Sequence, residues 1–179
     1  MPYLSVIEFW FSEIPPRQWW QKNDEFDALI HDKFSKLHQS AIRCELFEWR
    51  HHPLGQLAEI IIIDQFSRHL FRDHTEAFAH DSLALALAQQ AVADGSDHSV
   101  GAKQRGFFYL PYMHSESKKM QTQSVHLFSQ PGLATHLSSA QRHRAIIERF
   151  GRFPHRNKIL GRPSTAEELA FLKQPGSSF

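Results

Sequence analysis

The chain has 179 residues, of which 41% are hydrophobic, and its formal net charge is +1. This length is typical of one domain, and 15 phenylalanines and four tryptophans predict an aromatic core. The single cysteine, Cys44, excludes an internal disulfide, and the isoleucine run at residues 60–63 is too short to span a bilayer. The N-terminus also lacks the features of a secretory signal. We therefore expect a cytoplasmic protein of one domain, residues 1–179, with no membrane partner.

The first half of the chain contains two long helical patterns. Asp24 is a suitable N-cap for a helix in which apolar residues recur every three to four positions over residues 26–37. After Pro53, residues 54–71 include a stretch that is apolar nearly all round, which is typical of a buried central helix. The four isoleucines would also suit a strand, but the length and the flanking residues of the segment favour a helix.

Two further helices are predicted in the middle of the chain. Asp81 is a candidate N-cap for a helix over residues 83–93, and Gly95 is placed to end it. Pro111 can occupy the first position of another helix, which runs to about residue 128.

Two more helical patterns complete the sequence. Residues 133–150 form a long amphipathic pattern, and Ser164 with Glu167 forms a capping box before a last helix. No segment has the alternation and turn residues of a convincing β-hairpin. The sequence therefore predicts an all-α domain of seven or eight helices, stacked as antiparallel pairs.

Positive charge is concentrated in residues 141–162. This segment contains six arginines and one lysine against one glutamate, so it carries +6 while the rest of the chain carries −5. Gly151, Pro154 and Gly161 disfavour helix here, and irregular backbone that carries cations beside a core is a common way to build a site. The arginines can pair with carboxylates such as Asp81, or they can present a basic patch to an anion.

The candidate binding residues lie in three separated parts of the chain. Arginine presents a planar fork that matches phosphate and carboxylate groups, and buried arginines need carboxylate partners. Charge matching therefore predicts that these residues meet in one place, where each polar group is either a structural partner or part of a ligand site. The predicted binding residues are Asp64, Arg68, Glu116, Arg152, His155, Arg156, Asn157 and Arg162.

His114 is the candidate catalytic residue. With a helix beginning at Pro111, it would lie near a helix N-terminus, where a histidine tends to stay neutral. A neutral imidazole can act as a general base. Glu116 lies two residues further on and would not face His114 on a helix, so the two do not form a self-contained pair.

Metal and cofactor motifs are missing from the sequence. There are 13 histidines, but no His-Glu-x-x-His motif, and His136 and His143 are about 10 Å apart along a helix. There is no phosphate-binding loop, no dinucleotide-binding motif and no nucleophile elbow. The near-zero net charge also disfavours nucleic acid as a partner. We expect no metal, no cofactor and no nucleic-acid partner.

Five blocks of the sequence stand out together: Phe9-Trp10-Phe11, Asp64-Gln65-Phe66 with Arg68, Leu110-Pro111, His114-Ser115-Glu116, and residues 151–162. These blocks resemble a largely bacterial family, domain of unknown function 924. The resemblance covers essentially the whole chain and implies an all-helical, tetratricopeptide-like fold, although no tetratricopeptide consensus recurs at a fixed period. It implies no reaction. The chain differs from the family pattern at Ser67, His69 and Ser117, so any chemistry at those positions would be altered.

Two functions agree with these residues. The first is a binding or interaction module whose arginine-rich polar cleft accepts a small anionic ligand or a protein partner. The second is an enzyme, a hydrolase or a transferase, in which His114 is the general base and Arg152 and Arg156 hold an anionic substrate. An enzyme requires His114 at the wall of a concave pocket with the arginines nearby.

Overall fold

The computed structural model describes residues 2–179, and these residues contain helices and turns but no β-strand. The α3 and α4 segments form one continuous helix, so the described chain has eight helical units, as the sequence predicts. None of these helices is both long and apolar enough to cross a membrane. The α-helices are α1 (Pro2–Glu8), α2 (Asp24–Ile42), α3 (Pro53–Ile61), α4 (Ser67–Leu70), α5 (Asp81–Ala93), α6 (Ala102–Met113), α7 (Lys118–Phe128), α8 (Ala134–Phe150) and α9 (Ala166–Phe171).

The predicted buried central helix is confirmed. Helix α3 continues through a π-helical turn, Ile62–Phe66, into α4, and every residue from 57 to 67 is buried. This helix contacts α1, α2, α5 and α6, which explains why it is apolar nearly all round. The π-helical turn contains Asp64, and turns of this kind frequently lie at functional sites.

The remaining long helices pack in chain order. Helix α5 contacts α6, α6 contacts α7, and α7 contacts α8. Packing of each helix on the next is compatible with stacked helix pairs, whereas the tetratricopeptide-like label stays a prediction.

The core is aromatic, as the composition predicts. The ring of Trp10 is completely buried and contacts Trp19, Phe26, Phe66 and Phe107, with centroid distances from 5.3 to 6.3 Å. Aromatic pairs with this spacing add to the free energy gained from burial alone. A smaller apolar cluster of Ile146, Ile147 and Phe153 joins α8 to the segment that follows it.

Two predicted N-caps are wrong by one residue. The cap of α2 is Asn23, whose side chain accepts a hydrogen bond from the backbone N–H of Phe26, and Asp24 is already helical. His80 precedes α5, so Asp81 is its first residue, and the Asp81 carboxylate accepts hydrogen bonds from two arginines instead. Gly95 does follow α5 in the left-handed conformation, with φ of 75°.

The capping box of the last helix is displaced in the same way. Thr165 and Glu168 form it, in place of Ser164 and Glu167. Both pairs have the required spacing, so local sequence does not distinguish them. Tertiary contacts select Thr165 and Glu168, because Glu168 is buried and also accepts hydrogen bonds from Arg152.

The predicted start of a helix at Pro111 is wrong. Pro111 lies inside α6, which ends at Met113, and the next helix begins at Lys118 after its N-cap, Ser117. Proline removes one hydrogen bond from a helix interior, but residues 106–113 are all buried, and this packing outweighs the loss. His114 therefore lies at a helix C-terminus and not at an N-terminus.

Gly55 and Gly106 provide a matched test of packing around α3 and α6. A Cβ atom at Gly55 would lie 2.1 Å from the backbone oxygen of Trp49, whereas one at Gly106 would lie no closer than 3.7 Å to any atom outside its own helix. We expect Gly55→Ala to lower the free energy of unfolding by about 1–3 kcal/mol through overpacking. Gly106→Ala should leave it unchanged or raise it by up to about 1 kcal/mol. Urea denaturation of both variants measures this, and a fully stable Gly55→Ala protein would contradict it.

Candidate functional site

A cavity of about 800 Å³ lies beside the end of the central helix. Its walls come from α4, the C-terminal end of α6, one face of α8 and the irregular segment after α8. The volume is within the range of small-molecule binding sites. Its polar wall includes Arg68, Arg72, Arg156 and five histidines, and its apolar wall includes Trp19, Trp20, Phe78, Leu110, Met113 and Phe179.

Asp64 is the buried anion behind this cavity. Its side chain is 1% exposed, and Oδ1 accepts a hydrogen bond from Nδ1 of His114 at 2.8 Å. The Gln65 amide donates to the other oxygen, and Nη1 of Arg68 lies 3.4 Å from Oδ1. Burial by itself raises the pKa of Asp64, but the charge of Arg68 and the contact with His114 outweigh it and hold that pKa well below its usual range. Asp64 is therefore ionised.

His114 is a neutral imidazole at the cavity wall. Because a carboxylate can only accept, Nδ1 of His114 carries the proton. Burial lowers the pKa of His114 despite the opposing charge of Asp64. Its other nitrogen, Nε2, has no hydrogen-bonding partner among residues 2–179. The sequence predicted neutrality from a helix N-terminus, but burial is the actual cause.

Two arginines share one carboxylate, that of Asp81. Nη1 of Arg68 lies 3.1 Å from Oδ1 of Asp81, and Nη1 of Arg156 lies 3.1 Å from Oδ2. Nη2 of Arg156 donates to the backbone carbonyl of His114 at 3.0 Å, and its guanidinium lies 4.5 Å from the centre of the Phe78 ring. Burial, together with the charge of Arg68, lowers the pKa of Arg156 to about 10.

The charges of this cluster are arranged in two layers. Arg68 and Arg156 line the cavity, whereas Asp64 and Asp81 lie behind them and do not. Two cations and two anions balance formally, with His114 neutral. The charged side chains that line the cavity are nevertheless mostly cationic, with Arg68, Arg72 and Arg156 against Asp73.

Glu116 and Arg162 hold the segment after α8 in place. Arg162 donates to both Glu116 oxygens at 2.7 and 2.9 Å, and the backbone N–H of Phe153 donates to Glu116 at 2.7 Å. Nε of Arg162 also donates to the side-chain oxygen of Asn157. None of Glu116, Asn157 or Arg162 lines the cavity, so these residues shape the segment that carries Arg156.

Arg152 and His155 have different environments. Arg152 makes a bidentate contact with Glu168 at 2.7 and 2.8 Å and does not line the cavity. His155 does line the cavity, and its buried Nδ1 has no hydrogen-bonding partner in the described chain. The structure thus places Arg68, His155 and Arg156 at the cavity with His114, whereas the other predicted binding residues, Asp64, Glu116, Arg152, Asn157 and Arg162, do not line it.

Three cavity histidines were not among the predicted site residues. They are His69, His136 and His143, from α4 and α8. Nδ1 of His69 lies 2.7 Å from Oδ1 of Asp27, and Nδ1 of His143 lies 2.8 Å from the backbone oxygen of Ser139. In the sequence, the local signal for a site at these histidines was the seven-residue spacing of His136 and His143, which places both on one helix face. Within residues 2–179, no three His, Cys, Asp or Glu side chains are grouped closely enough to hold a metal ion.

Buried neutral histidines should make the stability depend on pH. Burial lowers the pKa of His38 to about 4, that of His143 to about 3 and that of His155 to about 4, from an ordinary value of 6.5. The unfolded chain then binds more protons between about pH 4 and pH 6.5, so the free energy of unfolding falls as the pH falls through this window. At pH 5 each histidine should contribute a slope of about 1.4 kcal/mol per pH unit.

Urea denaturation between pH 7.5 and pH 5 measures this slope. In a His143→Phe variant, we expect the slope near pH 5 to fall by about 1.4 kcal/mol per pH unit, because one proton-binding group is removed. A free energy of unfolding that does not change between pH 7 and pH 5 would show that these histidines are not buried as neutral groups.

The chain is similar to a known protein family and to a solved structure. The profile of a family described as bacterial protein of unknown function (DUF924) matches residues 6–176. A solved structure of a protein of unknown function from Agrobacterium tumefaciens is 38% identical and superposes with a TM-score of 0.92, over 96% of this chain and 97% of that chain. No curated protein matches the chain. Both likenesses cover the fold and the cavity, and neither supplies an activity or a ligand.

Proposed function

The chain belongs to the bacterial family DUF924, and we propose that it binds a small organic anion in the cavity beside α8. The anionic group contacts Arg68 and Arg156, and an apolar part of the ligand fills the rest of the cavity. The observation that carries this proposal is the pair of cavity-lining arginines that share the carboxylate of Asp81.

Other arginines of the late segment do not share their carboxylate partners in this way. Arg162 and Arg152 each have a bidentate carboxylate partner of their own, at 2.7–2.9 Å. Arg68 and Arg156 instead divide Asp81 between them at 3.1 Å, although Arg68 also lies 3.4 Å from Asp64, and Nε of Arg156 is buried without a partner. A guanidinium has five donors in a fixed fork, so both arginines retain donors for another anion.

The apolar walls determine the remainder of the ligand. Trp19, Phe78, Leu110 and Met113 are at least partly buried and line the cavity, whereas Trp20 is 55% exposed at its edge. Aromatic and aliphatic side chains gain free energy by covering apolar ligand surface. An aryl or alkyl carboxylate or phosphate therefore fits the cavity better than a small inorganic anion.

A thermal-shift screen with aryl and alkyl carboxylates and phosphates tests the proposal, because a ligand that binds the native state raises the melting temperature. In an Arg156→Met variant, we expect the anions to bind about 10–100-fold more weakly, since charge-assisted hydrogen bonds are lost. Arg144→Met is the matched control: it removes an arginine of α8 that pairs with Glu148 and does not line the cavity, and it should retain both stability and binding. Equal binding by the Arg156→Met and wild-type proteins would contradict the proposal.

A second candidate function is an enzyme, a hydrolase or a transferase, with His114 as the general base. The observation that favours it is the hydrogen bond between the buried Asp64 carboxylate and Nδ1 of His114, which leaves Nε2 unprotonated at the cavity wall. Asp64 would stabilise the imidazolium formed when Nε2 accepts a proton from water or from a ligand hydroxyl.

Incubation of the protein with a bacterial metabolite extract, followed by mass spectrometry, tests the enzyme candidate. Wild-type protein should consume a compound that also raises its melting temperature. An Asp64→Asn variant should do so at least about 100-fold more slowly, because its histidine loses the partner that fixes the tautomer. If no compound is consumed, or if the variant is equally active, the enzyme candidate is wrong and the binding function alone remains.

A further inference from the structure

Two histidines of the cavity have a fixed tautomer. Nδ1 of His114 faces the Asp64 carboxylate and that of His143 faces a backbone carbonyl, each at 2.8 Å. Oxygens of ionised carboxylates and of carbonyls can only accept hydrogen bonds, so each Nδ1 is the donor. The neutral form of each ring then has a lone pair on Nε2. Nδ1 of His69 lies 2.7 Å from Asp27 but also 3.2 Å from Nη2 of Arg72, which can only donate, so these contacts do not select one tautomer.

The Nε2 atoms of His114 and His143 are acceptors without a donor. Neither of them has a hydrogen-bonding partner in the part of the chain that the structure describes, and both rings line the cavity. Burial lowers the pKa of His114 and that of His143, which keeps these two rings neutral near pH 7. The cavity therefore combines guanidinium donors with imidazole acceptors.

We propose that the ligand is a hydroxylated organic anion, whose hydroxyl donates to Nε2 of His114 while its anionic group accepts from Arg68 and Arg156. This inference rests on the proposed function and names the ligand class. His114 lies beside both arginines, because Arg156 donates to its backbone carbonyl and Asp64 contacts both its ring and Arg68. The hydroxyl is accordingly close to the anionic group, as in a 2- or 3-hydroxy acid.

Other polar groups at the same position fit less well. A keto oxygen would place an acceptor against the acceptor Nε2 of His114. An ammonium group can donate, but it would lie next to the two guanidinium charges and be repelled by them. A hydroxyl donates without adding charge, and it can also accept a hydrogen bond from Arg68 or Arg156.

Two compounds that differ by one hydroxyl provide the experiment. The affinities of 3-phenyllactate and 3-phenylpropionate for the wild-type protein are measured by titration calorimetry at pH 7.5, with phenylalanine as the ammonium analogue. We expect 3-phenyllactate to bind about 3- to 10-fold more tightly than 3-phenylpropionate, as one additional hydrogen bond predicts. Phenylalanine should bind more weakly than 3-phenyllactate. Equal affinities for the first two compounds, or tighter binding of phenylalanine, would overturn the inference.

A His114→Phe variant identifies the acceptor. We expect the affinity ratio of the two compounds to fall to about one, with 3-phenylpropionate still bound. His126→Gln, on the exposed side of α7, is the control and should keep the wild-type ratio. An unchanged ratio in His114→Phe would show that another group accepts the hydroxyl, which also overturns the assignment.

The failures of the two proposals are distinguishable. If neither phenyl compound binds, the hydroxy-acid inference is wrong, and the wider panel of carboxylates and phosphates decides whether the anion site exists. If anions bind and the hydroxyl makes no difference, only the inference is wrong. If the His114→Phe protein does not fold, the comparison of the compounds on the wild-type protein still decides.

Discussion

Charge buried on the central helix is the constraint on which this structure depends. Asp64 is removed from water, and an unpartnered charge there would cost several kcal/mol. Its partners come from its own helix and from the end of α6, and Arg68 extends the contact to Asp81 on α5. Arg156, from the segment after α8, completes the cluster. One set of ion pairs thus joins four parts of the chain. The charged groups of each part can be buried only because charged groups of the other parts pair with them.

The surrounding structure supports this cluster in two ways. The aromatic core around Trp10 packs the first two helices against the central helix. The bidentate contact of Arg162 with Glu116, and the Glu116 contact with the backbone of Phe153, order a segment that has little helix of its own. Arg156 is therefore held by a scaffold of other polar contacts, and its position does not depend on a ligand.

Buried charges need partners, and in this cluster the pairing is incomplete at the cavity wall. A fully paired cluster would present no free polar groups, as at Arg152 and Glu168. Here Asp81 serves two arginines, and His114 uses one nitrogen for Asp64 and leaves the other at the cavity wall. The same residues therefore stabilise the fold and place Nε2 of His114 as an unpaired acceptor at the cavity wall.

The sequence by itself determined the helices, because periodicity and burial of the central helix are local patterns. Charge matching predicted that Asp64 and the late arginines meet, but Asp64 pairs with Arg68 and His114, and the late Arg156 pairs with Asp81. The sequence did not determine the end of α6, since Pro111 suits a helix start locally and only the burial of residues 106–113 keeps it inside the helix. Nor did it separate Arg156, at the cavity, from Arg162, which has the same chemistry. That distinction, like the tautomer of His114, depends on which distant carboxylate each side chain meets, and only the tertiary structure decides this because pairing between remote segments has no local signal.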